Sequence, residues 1–280
     1  MTDTPAGPTV DEPTSGEVTA DPDAAPIVSD PRWRALLEGT EGDFAAGRRF
    51  LRHIPSSPRC KLCAAPFHGP GAPVMRLLDR GPWNKNPTIC GFCFKQLERG
   101  RGGAEIELSL LFADIRGSTT LGESMGPTAF HGLMSRFYEA MTKVLVAHDA
   151  VVDKFVGDEV VALFIPALTG ADHAGRAVEA AREMLKATGH GDGAGPWAPL
   201  GIGIHTGVAY VGVVGDAVTD FTALGDSVNV AARLASAAAG GEILVSEAVS
   251  ELAGLQRDLE IRHLTLRGRQ QPLDVHVLRI

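Results

Sequence analysis

The spacing of apolar residues along the chain changes period several times, and each change predicts an element. Ile106, Leu108, Leu110 and Phe112 alternate with other residues as a strand does, and Asp114 stands at that strand's end. Phe130, Leu133, Met134, Phe137, Met141 and Leu145 then recur at helical spacing after Pro127, a residue tolerated in a first helical turn. Two β-prone runs, Val151 to Lys154 and Val160 to Phe164, flank Val156-Gly157-Asp158-Glu159 and predict a tight hairpin with Asp158 at its turn. A second amphipathic helix is expected over Ala174 to Ala187, broken by the Gly/Pro-rich stretch from Gly189 to Pro199. Leu200 to His205 and Val208 to Val214 read as two strands paired across Thr206-Gly207. A helix is expected from about Ser227 to Ala238, with short strands near Ile243 and over Leu264 to Leu278. Strand, helix, hairpin, helix, hairpin is the order of an α+β sandwich of ferredoxin-like βαββαβ type. No internal repeat is visible.

Composition sets the limits of this picture. With 280 residues and 44% hydrophobic content, the chain can bury one sizeable core and a small module beside it. No apolar run approaches the roughly 20 residues needed to cross a bilayer, and the first thirty residues lack a signal-peptide pattern. A cytoplasmic protein without membrane contact is expected. The formal charge of -8 argues against a broad basic surface for nucleic acid. Residues 1–31 hold six prolines, seven carboxylates and no Lys or Arg, which predicts a disordered acidic tail. Residues 32–98 are expected to form a helical, cysteine-bearing module, with short helices between Trp33 and Ile54. Gly100, Gly102 and Gly103 around Arg99 and Arg101 read as a linker over 99–104, and the main domain would occupy 105–280.

All four cysteines fall in two Cys-x-x-Cys pairs, Cys60/Cys63 and Cys90/Cys93. In a reducing compartment paired thiols are better metal ligands than structural disulfides, and four thiolates can converge tetrahedrally on one Zn²⁺. An iron–sulfur cluster is the main alternative and a thiol redox pair the third. His53 and His68 lie nearby but are not needed as ligands if all four cysteines bind. Trp83, Phe67 and Phe92 are expected to pack around the site.

Asp114, after Leu-Leu-Phe-Ala, and Asp158, after Lys-Phe-Val-Gly, occupy strand-end and turn positions that could hold two divalent cations. Each alone fits a helix cap or a turn equally well. The surrounding words decide between these readings. LFADIRGST (111–119), KFVGDEVVALF (154–164), GIGIHTG (201–207) and ALGDSVNVAARL (223–234) appear together and in order. Over about residues 105 to 280 the sequence thereby resembles the class III adenylate and guanylate cyclases, preceded by a four-cysteine segment.

That resemblance implies a class III cyclase catalytic domain that binds two Mg²⁺ or Mn²⁺ ions through Asp114, Asp158 and the backbone carbonyl of Ile115. Backbone N–H groups from about Arg116 through Gly117, Ser118 and Thr119 would hold phosphate oxygens, with Gly117 allowing close approach. Lys154 and Thr222 match the pair that selects adenine. Lys can donate to N1 of adenine, where guanine carries a proton, and a Thr hydroxyl can accept from the 6-amino group. Asn229 and Arg233 stand at i and i+4 of one helix; in the family the Asn orients the ribose and the Arg stabilises charge on the α-phosphate. Arg267 or Arg269 could hold the triphosphate. The metal aspartates of one subunit would face the Lys, Thr, Asn and Arg set of another, so a homodimer with two composite sites is implied. The expected reaction is attack of the ribose 3'-hydroxyl of ATP on its α-phosphate, giving cyclic AMP and pyrophosphate. Three readings compete: an inactive regulatory module of the same fold, a guanylate cyclase, and nucleic-acid binding through Arg59, Lys61, Arg76, Arg80 and Lys85 in the cysteine segment.

Overall fold

The computed structural model describes residues 29–40, 49–83, 87–99, 102–215, 219–256, 258–265 and 272–280. Most of the expected acidic tail, Arg267, Arg269 and Lys85 lie outside these residues. The described residues open with α1 (Pro31–Glu38), then α2 (Ala72–Leu77) and α3 (Gly91–Arg99), followed by β1 (Gly102–Ile115). Then come α4 (Ser118–Ser124), α5 (Pro127–Ala147), the hairpin β2 (Val151–Val156) and β3 (Glu159–Phe164), α6 (Pro166–Thr169) and α7 (His173–Ala187). The rest is β4 (Leu200–Val214), β5 (Asp220–Leu224), α8 (Asp226–Ala237), β6 (Ile243–Ser246), α9 (Glu247–Leu252), β7 (Glu260–Leu264) and β8 (Leu273–Leu278).

The strands form one sheet in the order β2-β3-β1-β4-β6-β8-β7, with β5 paired to β4. All pairs are antiparallel except β4 with β6. β1 lies at the centre, so both its faces are covered. Leu111, Ala113 and Ile115 pack under α5, α7 and α9, while Leu108, Leu110 and Phe112 pack under α1 and α8. This explains the nearly unbroken apolar run Leu110-Leu111-Phe112-Ala113, where burial on two faces removes the usual alternation.

Two expectations need correction. Leu200 to Val214 is one continuous strand, not a hairpin turning at Thr206-Gly207. Thr206 pairs with Ser109 and Gly207 with Leu108 in unbroken register. The Ser109 hydroxyl bonds Thr206 Oγ1 at 2.6 Å and His173 Nδ1 at 2.8 Å, so the polar Thr206 is satisfied inside the sheet. Gly201, Gly203 and Gly207 serve a different end: each faces α8, where a Cβ would come within 2.8, 2.1 and 2.7 Å of Ala238 O, Ala235 N and Ser227 Oγ respectively. Small residues on this face let the helix lie close on the strand. The second correction is that Gly102 and Gly103 belong to β1 rather than to a linker, held in part by the Asp30 N–H donating to the Gly103 carbonyl at 3.1 Å.

The cysteine module is packed against the sheet. Its own core gathers Leu51, Phe67, Met75, Ile89 and Phe94 around the four cysteines, with Trp83 and Phe92 partly buried beside them. Trp83 stacks on Phe94 with ring centroids 3.6 Å apart. Leu62 and Phe221 touch both this core and the one beneath α1, and Lys61 pairs with Asp149 at 2.5 Å.

Candidate active site

Asp114 ends β1 on the face shared with Phe112, opposite Glu159 in the hairpin. The Ile115 N–H donates to the carbonyl of Asp158 at 3.3 Å, which draws the β2–β3 turn against the end of β1. The two carboxyl groups meet there. Burial, followed by the hydrogen bond to Asp158, pushes the Asp114 carboxyl up to about 7, with Arg116 opposing. Burial acts against Asp158 too, but hydrogen bonds from Asp114 and Ser118 hold it below the ordinary carboxylate range. The two shifts run in opposite directions, which is the pattern of two carboxyl groups crowded into one site. Arg116 supplies the compensating charge: one Nη contacts Asp114, and the other donates to the carbonyls of Ser236 at 3.1 Å and Ala238 at 3.4 Å. Sequence reasoning treated Arg116 as the start of a backbone cradle and missed this role, although it sits inside the motif.

Gly117 precedes α4 at φ 75°, a left-handed conformation that glycine adopts without strain, and Ser118 and Thr119 open the helix. Tyr138 on α5 donates its hydroxyl to the Gly157 carbonyl and packs its ring on Phe155, which fixes the hairpin from the other side.

A second cluster forms around Lys154 and Thr222. β2 and β5 are not neighbours in the sheet, yet Lys154 Nζ donates to Thr222 Oγ1 at 3.1 Å. The structure thus brings together two residues 68 positions apart that the resemblance pairs. It adds a third, Asp153, whose Oδ2 accepts from the Thr222 hydroxyl at 2.9 Å. Asn229 is exposed and Arg233 half-buried on α8, whose opposite face, Val230, Ala231 and Leu234, is buried.

The four cysteine sulfurs, all buried, lie within 4.8 Å of one another. Cys60 and Cys93 Sγ are 3.9 Å apart and Cys63 and Cys90 Sγ 3.7 Å. Backbone N–H groups of Cys90 and Cys93 donate to Cys60 Sγ at 3.2 Å and Cys90 Sγ at 3.4 Å. These donors favour thiolate. Hydrogen bonding, first from Cys60, holds the Cys63 thiol low and pushes the Cys93 thiol up. Several of the basic residues that favoured nucleic acid are engaged internally: Arg59 donates to the carbonyls of Ser56, Leu51 and Ala64, and Arg80 lies over the Phe92 ring.

The fold, the carboxylate pair and the Lys–Thr pair define a nucleotide cyclase domain. The family described as the adenylate and guanylate cyclase catalytic domain matches residues 104–278, and the chain belongs to it. Adenylate cyclase 1 of Rhizobium meliloti is 32% identical over 186 residues, covering 63% of this chain and 28% of that protein. Adenylate cyclase of Anabaena cylindrica is 28% identical over 180 residues, covering 60% of this chain and 36% of its own length. This chain thus spans well under half of either relative. Among solved structures, the adenylyl cyclase CyaB from P. aeruginosa is 30% identical with a TM-score of 0.57, covering 64% of this chain and 96% of its own. The guanylyl cyclase Cya2 is 29% identical with a TM-score of 0.58, covering 63% and 93%.

Proposed function

We propose that the chain is an adenylate cyclase that converts ATP to cyclic AMP and pyrophosphate at composite sites of a homodimer. The contact that carries the choice of ATP is the one between Lys154 and Thr222. An ammonium is donor-only and suits the bare N1 of adenine, whereas guanine carries a proton at N1. Relatives of both specificities share the fold, so this pair rather than the architecture supports the reading.

Asp114, Asp158 and the Ile115 carbonyl would hold divalent cations; two carboxyl groups crowded together, with their pKa values pushed apart, suit a cation placed between them. Two Mg²⁺ or Mn²⁺ bound there would lower the pKa of the attacking ribose 3'-hydroxyl and neutralise charge on the leaving pyrophosphate. The chain's own residues do the positioning. Arg116 must release Asp114 when the cations bind, and its bonds to Ser236 and Ala238 give the guanidinium a place to stay. N–H groups of Gly117, Ser118 and Thr119 would take phosphate oxygens, Asn229 would orient the ribose, and Arg233 would meet the charge developing on the α-phosphate. Phe155 and Val156 on β2 and Leu224 on β5, the strands that bear Lys154 and Thr222, are exposed and apolar, as is Val208 on the adjoining β4, and they fit burial against a second copy.

For the cysteine site we favour one tetrahedral Zn²⁺. Four thiolates at a Zn–S distance of about 2.3 Å stand about 3.8 Å apart, close to the 3.7 and 3.9 Å separations. A disulfide needs about 2.05 Å, and a cluster of several irons needs more room between its sulfurs than this cage has. The decisive experiment is turnover of ATP against GTP by the purified full-length protein with Mg²⁺ or Mn²⁺, beside Asp114→Ala. Cyclic AMP that disappears in the variant is expected; no product from either nucleotide would transfer the reading to a regulatory module.

A further inference from the structure

The residue before Lys154 has a part that the sequence alone does not show. β2 pairs with β3 at Val151 opposite Leu163 and Val152 opposite Ala162, then slips so that Lys154 opposes Val161. Asp153 is the extra residue of a β-bulge. In an unbroken strand Asp153 and Lys154 would point to opposite faces. The bulge turns both to one side, leaving Lys154 Nζ and Asp153 Oδ2 3.5 Å apart. The Asp153 side chain is only 3% exposed, and its Oδ1 is buried with no hydrogen-bond partner among the described residues. Burying a carboxylate this way is costly, so its placement calls for a reason beyond packing.

The hydrogen bonds supply one. A threonine hydroxyl has one proton and two lone-pair sites, a lysine ammonium only donates, and an ionised carboxylate only accepts. Thr222 must therefore give its proton to Asp153 at 2.9 Å, and it receives Lys154 on a lone pair at 3.1 Å. Lys154 occupies the place that another N–H donor would take. When the flexible ammonium swings to a purine N1, what Thr222 presents to the 6-position is a lone pair.

The geometry points to Asp153 as a positioning residue for base selection: by holding the Thr222 proton it makes that hydroxyl acceptor-only, so the site takes a 6-amino purine and rejects a 6-oxo purine. This deepens the adenylate cyclase reading and rests on it. With Asp153 absent, the hydroxyl can rotate and donate to a 6-oxo group, and this part of the discrimination disappears. Lys154 alone keeps the rest.

ATP and ITP isolate the effect, because they differ only at the 6-position and in the N1 proton. kcat/KM for each is measured with the parent, Asp153→Ala, Asp153→Asn, Thr222→Val and the double variant Asp153→Ala/Thr222→Val, with Asp153→Leu replacing the alanine variants if those do not fold. Asp153→Ala is expected to lower the ATP/ITP ratio about tenfold, the scale of one hydrogen bond lost or mismatched. Asp153→Asn, whose amide oxygen can take the same proton, keeps most of the ratio. In the double variant, loss of Asp153 adds nothing to loss of Thr222. An equal fall for both nucleotides, or additive losses of the ratio, would overturn the proposal by showing a merely structural role. If the parent forms no cyclic product, the adenylate cyclase reading fails separately. The same ratio is then read from displacement of a fluorescent ATP analogue by ATP and ITP, where an unchanged ratio in Asp153→Ala, or no binding of either nucleotide by the parent, also overturns it.

Discussion

Helix α8 bears Asn229 and Arg233, and its height above the sheet is set by Gly203. A Cβ at Gly203 would stand 2.1 Å from Ala235 N, 2.5 Å from Ala231 O and 2.7 Å from the Leu234 carbonyl carbon. All three are helix backbone, so no side-chain rotation can relieve the clash. Ordinary contact begins near 3.4 Å, so α8 in Gly203→Ala has to rise by roughly 1 Å. Overpacking of this kind costs about 1 to 3 kcal/mol, and a backbone clash belongs at the upper end. For a domain of this size about 3 kcal/mol lowers Tm by roughly 6 to 12 °C. A displacement of about 1 Å at positioning groups costs on the order of a hundredfold in rate. Thermal melting and cyclic AMP formation at saturating ATP read the two effects. Gly132→Ala is the control, since a Cβ there meets nothing within 4 Å on α5 and alanine favours a helix. A Gly203→Ala protein with parental Tm and kcat would refute the seating of α8 on this glycine.

Other outcomes follow from the same contacts. Lys154→Ala should cut kcat/KM for ATP by about tenfold to a hundredfold, the worth of a charged hydrogen bond, and narrow the ATP/GTP ratio; an unchanged ratio would remove Lys154 from base selection. Metal analysis of the purified protein should find one zinc per chain, and Cys63→Ser should lose it and lower Tm, because a three-thiolate cage leaves Cys60, Cys90 and Cys93 crowded without full compensation; retention of stoichiometric zinc in the variant would refute the four-thiolate site. Glu242 is buried beneath Arg262 and Arg279, and the Arg262 hydrogen bonds, aided by Ala239 N–H and Arg279, hold its carboxyl down at about 2 against an ordinary 4.5. Its folded pKa is depressed, so its contribution is complete above pH 4.5 and is lost as pH falls towards 2. At up to about 3 kcal/mol, that contribution should appear as a stability gap between parent and Glu242→Gln that closes across this window in chemical denaturation. A gap that stays constant from pH 5 to pH 2.5 would exclude it.

Much of the catalytic domain was legible because its signals are local. The helical period from Phe130 to Leu145, the hairpin around Asp158 and the four words of the motif set lie in short stretches, and each appears where expected. β4 was misread because glycine has two uses. At Thr206-Gly207 it looked like a turn, while the chain uses it for close approach of α8, and only the helix packed above distinguishes the two. Gly102 and Gly103, read as linker, lie in β1, where a Cβ on Gly103 would come within 2.4 Å of the Val211 carbonyl oxygen on β4.

By itself the sequence determined which residues carry charge, thiol and hydroxyl chemistry, and in what order along the chain. Spacing singled out the four cysteines, and the resemblance carried by the four motifs named Asp114, Asp158, Lys154 and Thr222. The tertiary structure alone decided the relations between distant groups: the 3.1 Å contact of Lys154 with Thr222, the meeting of Asp114 and Asp158 where the hairpin turn is drawn against the end of β1, the sulfur cage, and the bulge that turns Asp153 towards Thr222. The reason is physical. Hydrophobic period reports burial of a face, but a strand slip of one residue or a helix height set by a missing Cβ arises only when elements from far along the chain are pressed together.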